Sequence, residues 1–83
     1  MKLLYFAWIR AKIGVGEEQI TLPPHVATVG DLLDWLAARG DNYAGALKER
    51  KVVKVAVNQE YVGADHPVKT GDEVALFPPV TGG

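Results

Sequence analysis

The 83-residue sequence contains no cysteine. A disulfide framework, a thiolate metal site and a cysteine nucleophile are therefore excluded for this sequence. Only two histidines are present, His25 and His66, and neither has a carboxylate at a spacing typical of metal ligands. No serine–histidine–aspartate group or general-base arrangement is recognisable either. We therefore expect neither a metal site nor an active site built from the chain's own side chains.

Neither sign of charge dominates, because nine basic residues face ten acidic ones. The densest basic run, at residues 48–54, is interpreted as a solvated loop and strand edge, and a docking patch is the alternative. It does not resemble a nucleic-acid footprint, so we expect no nucleic-acid partner. No window approaches the roughly 20 apolar residues of a membrane span. The apolar opening, residues 1–9, is too short for a secretion signal and is followed by Arg10 and Lys12. We expect a cytoplasmic protein without a membrane partner.

Nearly half of the residues, 48%, are hydrophobic, which is enough for the core of one small domain. Residues 2–10 are predicted to form a strand that is apolar on both faces. Such a strand is either buried on both sides in the centre of a sheet or keeps one face for a partner. A turn at residues 14–16 and alternating polarity in residues 17–22 predict that this strand opens a β-hairpin.

One amphipathic helix is predicted at residues 29–39. Its apolar positions follow the spacing of one helix face, and they are Val29, Leu32, Leu33, Leu36 and Ala37. Thr28 is suited to the N-cap, and Asp31 three residues later completes a variant of the capping box. Gly40 is predicted to follow the helix as its C′ residue.

The remaining predicted elements are a helical turn and three strands, at residues 41–50, 52–58, 61–62 and 73–77. Together the elements predict an α+β fold, with one main helix packed on one face of a mixed sheet. The final strand is expected to insert beside the first, which is the β-grasp (ubiquitin-like) arrangement. We predict a domain at residues 1–77 and a flexible Gly-Gly tail at residues 78–83.

The tail begins with Pro78 and Pro79, which have no amide hydrogen and fix φ near −65°. The last strand should therefore end before them, and the tail should leave the domain in an extended direction. Gly82 and Gly83 carry no Cβ, so the tip is thin. Taken as the chain's end, Gly83 would offer a carboxylate that a partner can activate. The alternative interpretation is an inert, frayed terminus.

The sequence resembles a known family, the small subunit of molybdopterin synthase, which is a ubiquitin-like sulfur carrier. The matching stretches lie at residues 5–10, 57–59, 65–67 and 71–83, and the likeness spans the whole chain. The ending Phe-Pro-Pro-Val-Thr-Gly-Gly is its most specific part.

The resemblance implies a reaction cycle centred on Gly83. An activating enzyme would use ATP to adenylate its carboxylate, and a sulfur donor protein would convert the adenylate to a thiocarboxylate. The tail would then enter the large synthase subunit and give its sulfur to cyclic pyranopterin monophosphate. The family's complex is a heterotetramer of two large and two small subunits. No cofactor is implied for the chain itself.

The resemblance further implies that the outer sheet face docks on both partners. Phe6 and Phe77 match apolar contacts of that face, whereas Tyr61 falls where an aliphatic residue is usual. Burial of both phenylalanines in the core is the alternative. The predicted partner-binding residues are Phe6, Tyr61, Phe77, Pro78, Pro79, Val80 and Thr81, and the predicted reactive residues are Gly83 and its neighbour Gly82.

Two kinds of alternative function remain open. One is another ubiquitin-like carrier, serving thiamine or tRNA thiolation, or a modifier conjugated to lysines. The Pro-Pro-Val-Thr segment before the glycines favours the molybdopterin carrier over these. The other is a β-grasp interaction module whose tail is inert. A small enzyme is disfavoured because no catalytic constellation is recognisable.

Overall fold

The computed structural model describes residues 1–79, which form five strands and three α-helices. The strands are β1 (Lys2–Tyr5), β2 (Glu17–Gln19), β3 (Lys54–Val57), β4 (Glu60–Val62) and β5 (Glu73–Phe77). The helices are α1 (Ala7–Ile13), α2 (Val29–Ala37) and α3 (Asp41–Ala46), and a 3-10 turn spans Arg50–Val52. Within these residues no helix is long and apolar enough to cross a membrane.

The strands form one mixed sheet in the order β2-β1-β5-β3-β4. β5 runs parallel to β1 and antiparallel to β3, so the last strand lies in the centre of the sheet. The insertion predicted from the apolar first strand is confirmed, and so is the α+β β-grasp fold. β5 ends at Phe77, directly before the two prolines. The boundary between domain and tail stays a prediction, because residues 80–83 lie outside the described part of the chain.

The core lies between the inner face of the sheet and α2. Its sheet residues alternate along β1, β3 and β5, and they are Leu3, Tyr5, Val55, Val57, Val74 and Leu76. From α2 they meet the predicted apolar stripe, in which Val29, Leu32, Leu33 and Leu36 are all buried. Burying each such side chain contributes about 1.5–3 kcal/mol relative to leaving it exposed. The inner face of the sheet is thus buried in the core and is not accessible to a partner.

The prediction of a strand over residues 2–10 is wrong beyond Tyr5. The chain turns at Ala7, whose φ of 53° is left-handed, and α1 begins there. Ile9 and Ile13 are both buried and lie four residues apart, which is the spacing of one helix face. Gly14, at φ 100°, ends the helix. β1 and β2 are antiparallel as predicted, but a helix joins them in place of a tight turn.

The helix predicted at residues 29–39 is confirmed as α2, although it ends at Ala37. Both halves of the capping box form, since the Asp31 amide donates to the Thr28 hydroxyl and the Thr28 amide donates to the Asp31 carboxylate. The predicted role of Gly40 is wrong. Its φ of 167° is extended, and it serves as the N-cap of α3, which begins at once.

Candidate functional site

The outer face of the sheet, opposite α2, carries a row of apolar side chains. The row crosses four strands through the pairings Leu4↔Ala75, Ala75↔Ala56 and Ala56↔Tyr61. Leu4 and Ala75 are half-buried, and Tyr61 is 77% exposed. Alternation along each strand places these residues opposite the core positions. We call this row, with Phe6, Phe77 and Lys54 at its end, the outer face.

Tyr61 and Phe77 form an aromatic pair on the outer face. Their ring centroids are 5.3 Å apart, and the planes are tilted by 42°. Such pairs contribute about 0.5–1.5 kcal/mol beyond the area they bury. Phe77 is half-buried, whereas Tyr61 remains almost fully accessible. Tyr61 is therefore the most exposed aromatic side chain of this face.

Phe6 is the N-cap residue of α1 and is 48% exposed. Its backbone is still extended, and its amide donates a hydrogen bond to the Leu76 carbonyl at 3.1 Å. The pairing of β1 with β5 therefore continues for one residue past Tyr5. Because Tyr5 is buried on the inner side, alternation places Phe6 on the outer side. Phe6 is not a core residue, and the core alternative is wrong for it.

The backbone at Ala7 keeps Phe6 outside the core. A left-handed φ is uncommon for any residue with a Cβ and costs about 1–3 kcal/mol. Here it allows the chain to leave the sheet and begin α1 within one residue of Phe6. Trp8, on the other side of Ala7, is 37% exposed. The alternating apolar pattern of the sequence hid this feature, since it is satisfied equally by a longer strand.

A groove of about 470 Å³ opens where the outer face meets the tail. Its walls combine aromatic and aliphatic side chains with a single cation, and they are formed by Lys54, Val55, Tyr61, Val62, Gly63, Phe77 and Pro79. Pro79 and the preceding Pro78, which is not among the lining residues, are both half-buried. The structure thus brings three of the predicted partner-binding residues, Tyr61, Phe77 and Pro79, together at the groove, and Phe6 lies beside β5, where its amide bonds to Leu76. Val80, Thr81, Gly82 and Gly83 lie outside the described residues.

Hydrogen bonds between polar groups hold the turn that precedes Tyr61. Asn58 and Gln59 have φ values of 51° and 72°, as a tight two-residue hairpin turn requires. The Asn58 amide group donates to Asp72 at 3.0 Å, and the Glu73 amide donates to the Asn58 side chain at 3.0 Å. The Asp72 carboxylate also accepts from the Lys69 amide at 2.9 Å. The β3–β4 turn is thereby hydrogen-bonded to the start of β5.

Asp72 itself is 5% exposed. Burial acts to raise the pKa of its carboxyl group, but the hydrogen bonds from Asn58 and Lys69 outweigh burial and hold the pKa below its usual value. Asp72 thus stays ionised and keeps accepting both bonds. The signal that the sequence offered for this region was its resemblance to the family at residues 57–59, 65–67 and 71–83. It did not indicate that Asn58 and Asp72 would meet.

A second polar cluster lies on the side of α3. The Glu18 carboxylate accepts hydrogen bonds from the Tyr5 and Tyr43 hydroxyls, both at 2.8 Å, and from Arg39 at 3.2 Å. Arg39 also lies over the Trp35 and Tyr43 rings, at 5.1 and 4.8 Å from their centroids. This cluster joins β1 and β2 to α3 and to the end of α2. It stabilises the fold, and within residues 1–79 its side-chain hydrogen bonds join only Tyr5, Glu18, Arg39 and Tyr43.

Three pKa values in this cluster are shifted, those of Glu18, Tyr5 and Tyr43. Burial acts to raise the pKa of Glu18, but the hydrogen bonds from Tyr5, Tyr43 and Arg39 outweigh it and hold the pKa below the ordinary glutamate value. Burial, together with the hydrogen bond to Glu18, raises the pKa of Tyr5 far above that of a free tyrosine. The carboxylate is thus the charged partner and the phenol stays protonated.

Within residues 1–79 the structure gathers no three His, Asp or Glu side chains that would hold a metal ion.

The central last strand, the helix across one face and the exposed aromatic face beside the tail exit define a ubiquitin-like β-grasp protein. The sequence model of the ThiS family matches residues 3–83. The chain belongs to the ThiS family.

Comparisons with individual proteins agree with this membership. The chain is 43% identical to the "Molybdopterin synthase sulfur carrier subunit" of Escherichia coli (strain K12), over 100% of this chain and 99% of that protein. It is 37% identical to "Small archaeal modifier protein 3" of Haloferax volcanii, over 100% and 98% of the two chains. A solved structure, the "putative molybdopterin converting factor, subunit 1" of Pyrococcus furiosus, superposes with a TM-score of 0.77 at 39% identity and covers 95% of each chain.

Proposed function

We propose that this protein is the sulfur carrier subunit of a molybdopterin synthase. The observation that carries the proposal is the end-to-end identity of 43% with a relative that bears this name. The matched region includes the final glycines, since the family match runs to residue 83. In this proposal Gly83 is the chain's carboxyl terminus and the group that carries sulfur.

The chemistry of a carboxylate explains why two partners are needed. A carboxylate resists nucleophiles because of its negative charge, so an activating enzyme first lets it attack the α-phosphate of ATP, releasing pyrophosphate. The acyl adenylate is an activated electrophile. A hydrosulfide equivalent from a sulfur donor protein then attacks the acyl carbon and displaces AMP, leaving a thiocarboxylate on Gly83. That sulfur passes to cyclic pyranopterin monophosphate in the active site of the large subunit.

The structure supports the docking half of this cycle. The outer face presents Phe6, Tyr61 and Phe77 beside the point where the tail leaves β5. Aromatic side chains of this kind often dominate the binding energy of an interface. Residues 78–83 span about 20 Å when extended at about 3.3 Å per residue, which is enough to reach a pocket in the partner. We propose that the activating enzyme and the large subunit use this face in turn.

The full proposal places the carrier in the cytoplasm, in a heterotetramer of two large and two small subunits. It binds no cofactor of its own, and ATP is consumed by the activating enzyme. In the proposal Val80 and Thr81 contact the partner, and Gly82 precedes the reactive Gly83.

Mass spectrometry tests the proposal directly. Incubation with ATP, the activating enzyme and a sulfide source should raise the protein mass by about 16 Da, the difference between sulfur and oxygen. The thiocarboxylated protein, mixed with the large subunit and cyclic pyranopterin monophosphate, should then yield molybdopterin. A Gly83 deletion should keep the circular dichroism spectrum of the wild type and lose both results. A wild-type protein that gains no mass with a competent activating enzyme would refute the proposal and favour the inert interaction module.

A lysine-conjugated modifier is the second candidate, because a relative with 37% identity is named a small archaeal modifier protein. The two candidates share adenylation and differ in what attacks the activated Gly83. A modifier would be transferred to lysine amines, and tryptic digestion, which cleaves this chain for the last time after Lys69, would leave residues 70–83 as a branch on the target peptides. If such branches are found in cells that express this protein, and the purified protein with the large subunit forms no molybdopterin, the modifier function would be favoured over the sulfur carrier. Activity with thiamine or tRNA precursors in place of the pyranopterin would select the remaining carriers.

A further inference from the structure

We infer that Lys54 determines partner specificity by pairing with a carboxylate on the large-subunit surface that covers Tyr61 and Phe77. This inference rests on the proposed function and adds the chemistry of the partner's surface. That surface must combine an apolar side chain that fills the groove with an acidic residue beside it.

Lys54 lies at the end of the outer face where the tail begins. It is the cross-strand neighbour of Phe77 in the β3–β5 pairing, and it lines the groove together with Tyr61 and Pro79. Its side chain is exposed. A partner that covers the Phe77 ring must therefore also cover or touch Lys54.

The ammonium of Lys54 has no anionic partner within residues 1–79. The ion pairs found there are Lys2–Glu17, Arg39–Glu18 and Arg50–Asp34. The outer-face acids Glu17 and Glu73 belong to the opposite end of the sheet, near Lys2. On β4, Glu60 pairs with Val57, three residues along β3 from Lys54, which is about 10 Å at 3.3 Å per residue. Among the described residues that line the groove, Lys54 is therefore the one that carries a charge.

Docking makes this charge costly unless it is matched. Removing an ammonium from water without a counter-charge is strongly unfavourable, and truncating one member of a buried pair leaves the same penalty. A lysine stem can also lie along an apolar surface with its charge at the rim, where a pair mainly sets association rate and partner choice. Whether the Lys54 ammonium is buried in the interface or lies at its rim, a carboxylate on the partner favours binding and a cation on the partner opposes it. The groove thus selects for an acidic residue next to the apolar contact.

Binding measurements on the full-length chain and the large subunit test the inference. We expect Lys54→Glu to raise Kd at least about tenfold, because it places like charges together. Lys54→Met keeps much of the stem but no charge, so it should raise Kd less and flatten the dependence of Kd on salt. Lys54→Arg should bind like the wild type. Lys48→Glu is the matched control, since it makes the same charge change at an exposed residue outside the outer face, and it should leave Kd nearly unchanged.

Cross-linking provides a second readout that needs no variant. A carbodiimide joins an amine directly to a carboxylate in contact with it. In the complex, the expected product is an amide between Lys54 and an Asp or Glu of the large subunit, identified by mass spectrometry after digestion. A cross-link from Lys54 to the Gly83 carboxylate of the same chain, without a link to the partner, would assign the charge to the chain's own tail and overturn the inference.

The outcomes separate this inference from the proposed function. If the wild type gains sulfur and binds the large subunit but Lys54→Glu binds as tightly as Lys48→Glu, the inference is wrong and the proposed function stands. If the wild type neither gains sulfur nor binds, the proposed function fails first. Thermal unfolding of each variant checks the fold, and if Lys54→Glu is unfolded, the Lys54→Met salt dependence and the cross-link decide.

Discussion

Replacing Glu18 with glutamine should destabilise the fold more than the same change at Glu17, which is the other carboxylate on β2. One oxygen of Glu18 accepts the hydroxyls of Tyr5 and Tyr43 at 2.8 Å and the guanidinium of Arg39 at 3.2 Å. The other oxygen lies 3.4 Å from the same Arg39 nitrogen. Glutamine can keep the first oxygen, but its amide group then meets Arg39 donor to donor. The ion pair is lost while the shape is preserved.

The size of the effect follows from these contacts. Hydrogen bonds to a charged acceptor are roughly twice as strong as neutral ones, so the two tyrosines lose about 1 kcal/mol each. The Arg39 pair contributes less, about 0.5 kcal/mol, because the arginine side chain is 31% exposed. We therefore expect a loss of about 2–3 kcal/mol in the free energy of unfolding. For a domain of this size, 1 kcal/mol shifts Tm by about 4–8 °C.

Urea unfolding, followed by tryptophan fluorescence, measures this loss. Glu17→Gln is the matched control, because Glu17 is the preceding residue and its only ion pair within residues 1–79, to Lys2, is 3.7 Å long and exposed. It should cost less than about 0.5 kcal/mol. Equal stability of the two variants would refute the argument that the Glu18 cluster joins the helices to the sheet.

The same pair of proteins gives a pH dependence with a defined sign. The pKa of Glu18 is lower in the folded protein than in the unfolded chain. Its stabilising contribution is therefore complete above the unfolded pKa and is lost as pH falls through the folded pKa. The stability difference between wild type and Glu18→Gln should be full at neutral pH and shrink in acid below about pH 4. A difference that grows in acid would contradict the assigned direction.

Three further predictions concern the outer face and the elements that support it. Tyr61→Ala should weaken binding to the large subunit at least about tenfold. It should lower the stability of the free chain only by the contribution of the pair with Phe77, about 0.5–1.5 kcal/mol, because Tyr61 is 77% exposed; calorimetry of the complex and thermal unfolding of the free chain check both. Asp72→Asn should cost about 1–3 kcal/mol in urea unfolding, since an amide leaves one of the donors from Asn58 and Lys69 unsatisfied. Thr28→Ala removes the hydroxyl of the capping box and should cost about 1 kcal/mol by the same measurement.

Local signals in the sequence were enough to predict much of the fold. The apolar stripe of α2 and its capping box are contained within residues 28–37. The central position of the last strand followed from an apolar first strand that needed neighbours on both sides. Each of these signals depends on residue type and spacing over a few positions, which is information that a single sequence carries.

Residues 7–13 show where such signals stop being decisive. Their apolar residues fit a strand and a helix equally well, and the choice depends on the left-handed turn at Ala7, for which the sequence has no glycine. The side of the sheet on which Phe6 lies was nevertheless predicted, because Phe6 is still extended. Likewise, nothing local to Glu18 indicates Tyr43 or Arg39, which are more than 20 positions away. Contacts of this kind are set by packing.

The position of β5 links the docking surface to the reactive tail. Val74 and Leu76 hold this strand in the core, Ala75 and Phe77 face outward, and hydrogen bonds to β1 and β3 fix it on both sides. The distance from the outer face to the start of the tail is therefore set by the most constrained strand of the sheet. In the proposed cycle, each partner that recognises Phe77 receives the tail at the same offset, so loading and unloading of sulfur need no rearrangement of the domain. A carrier whose tail left an edge strand would lack that fixed geometry.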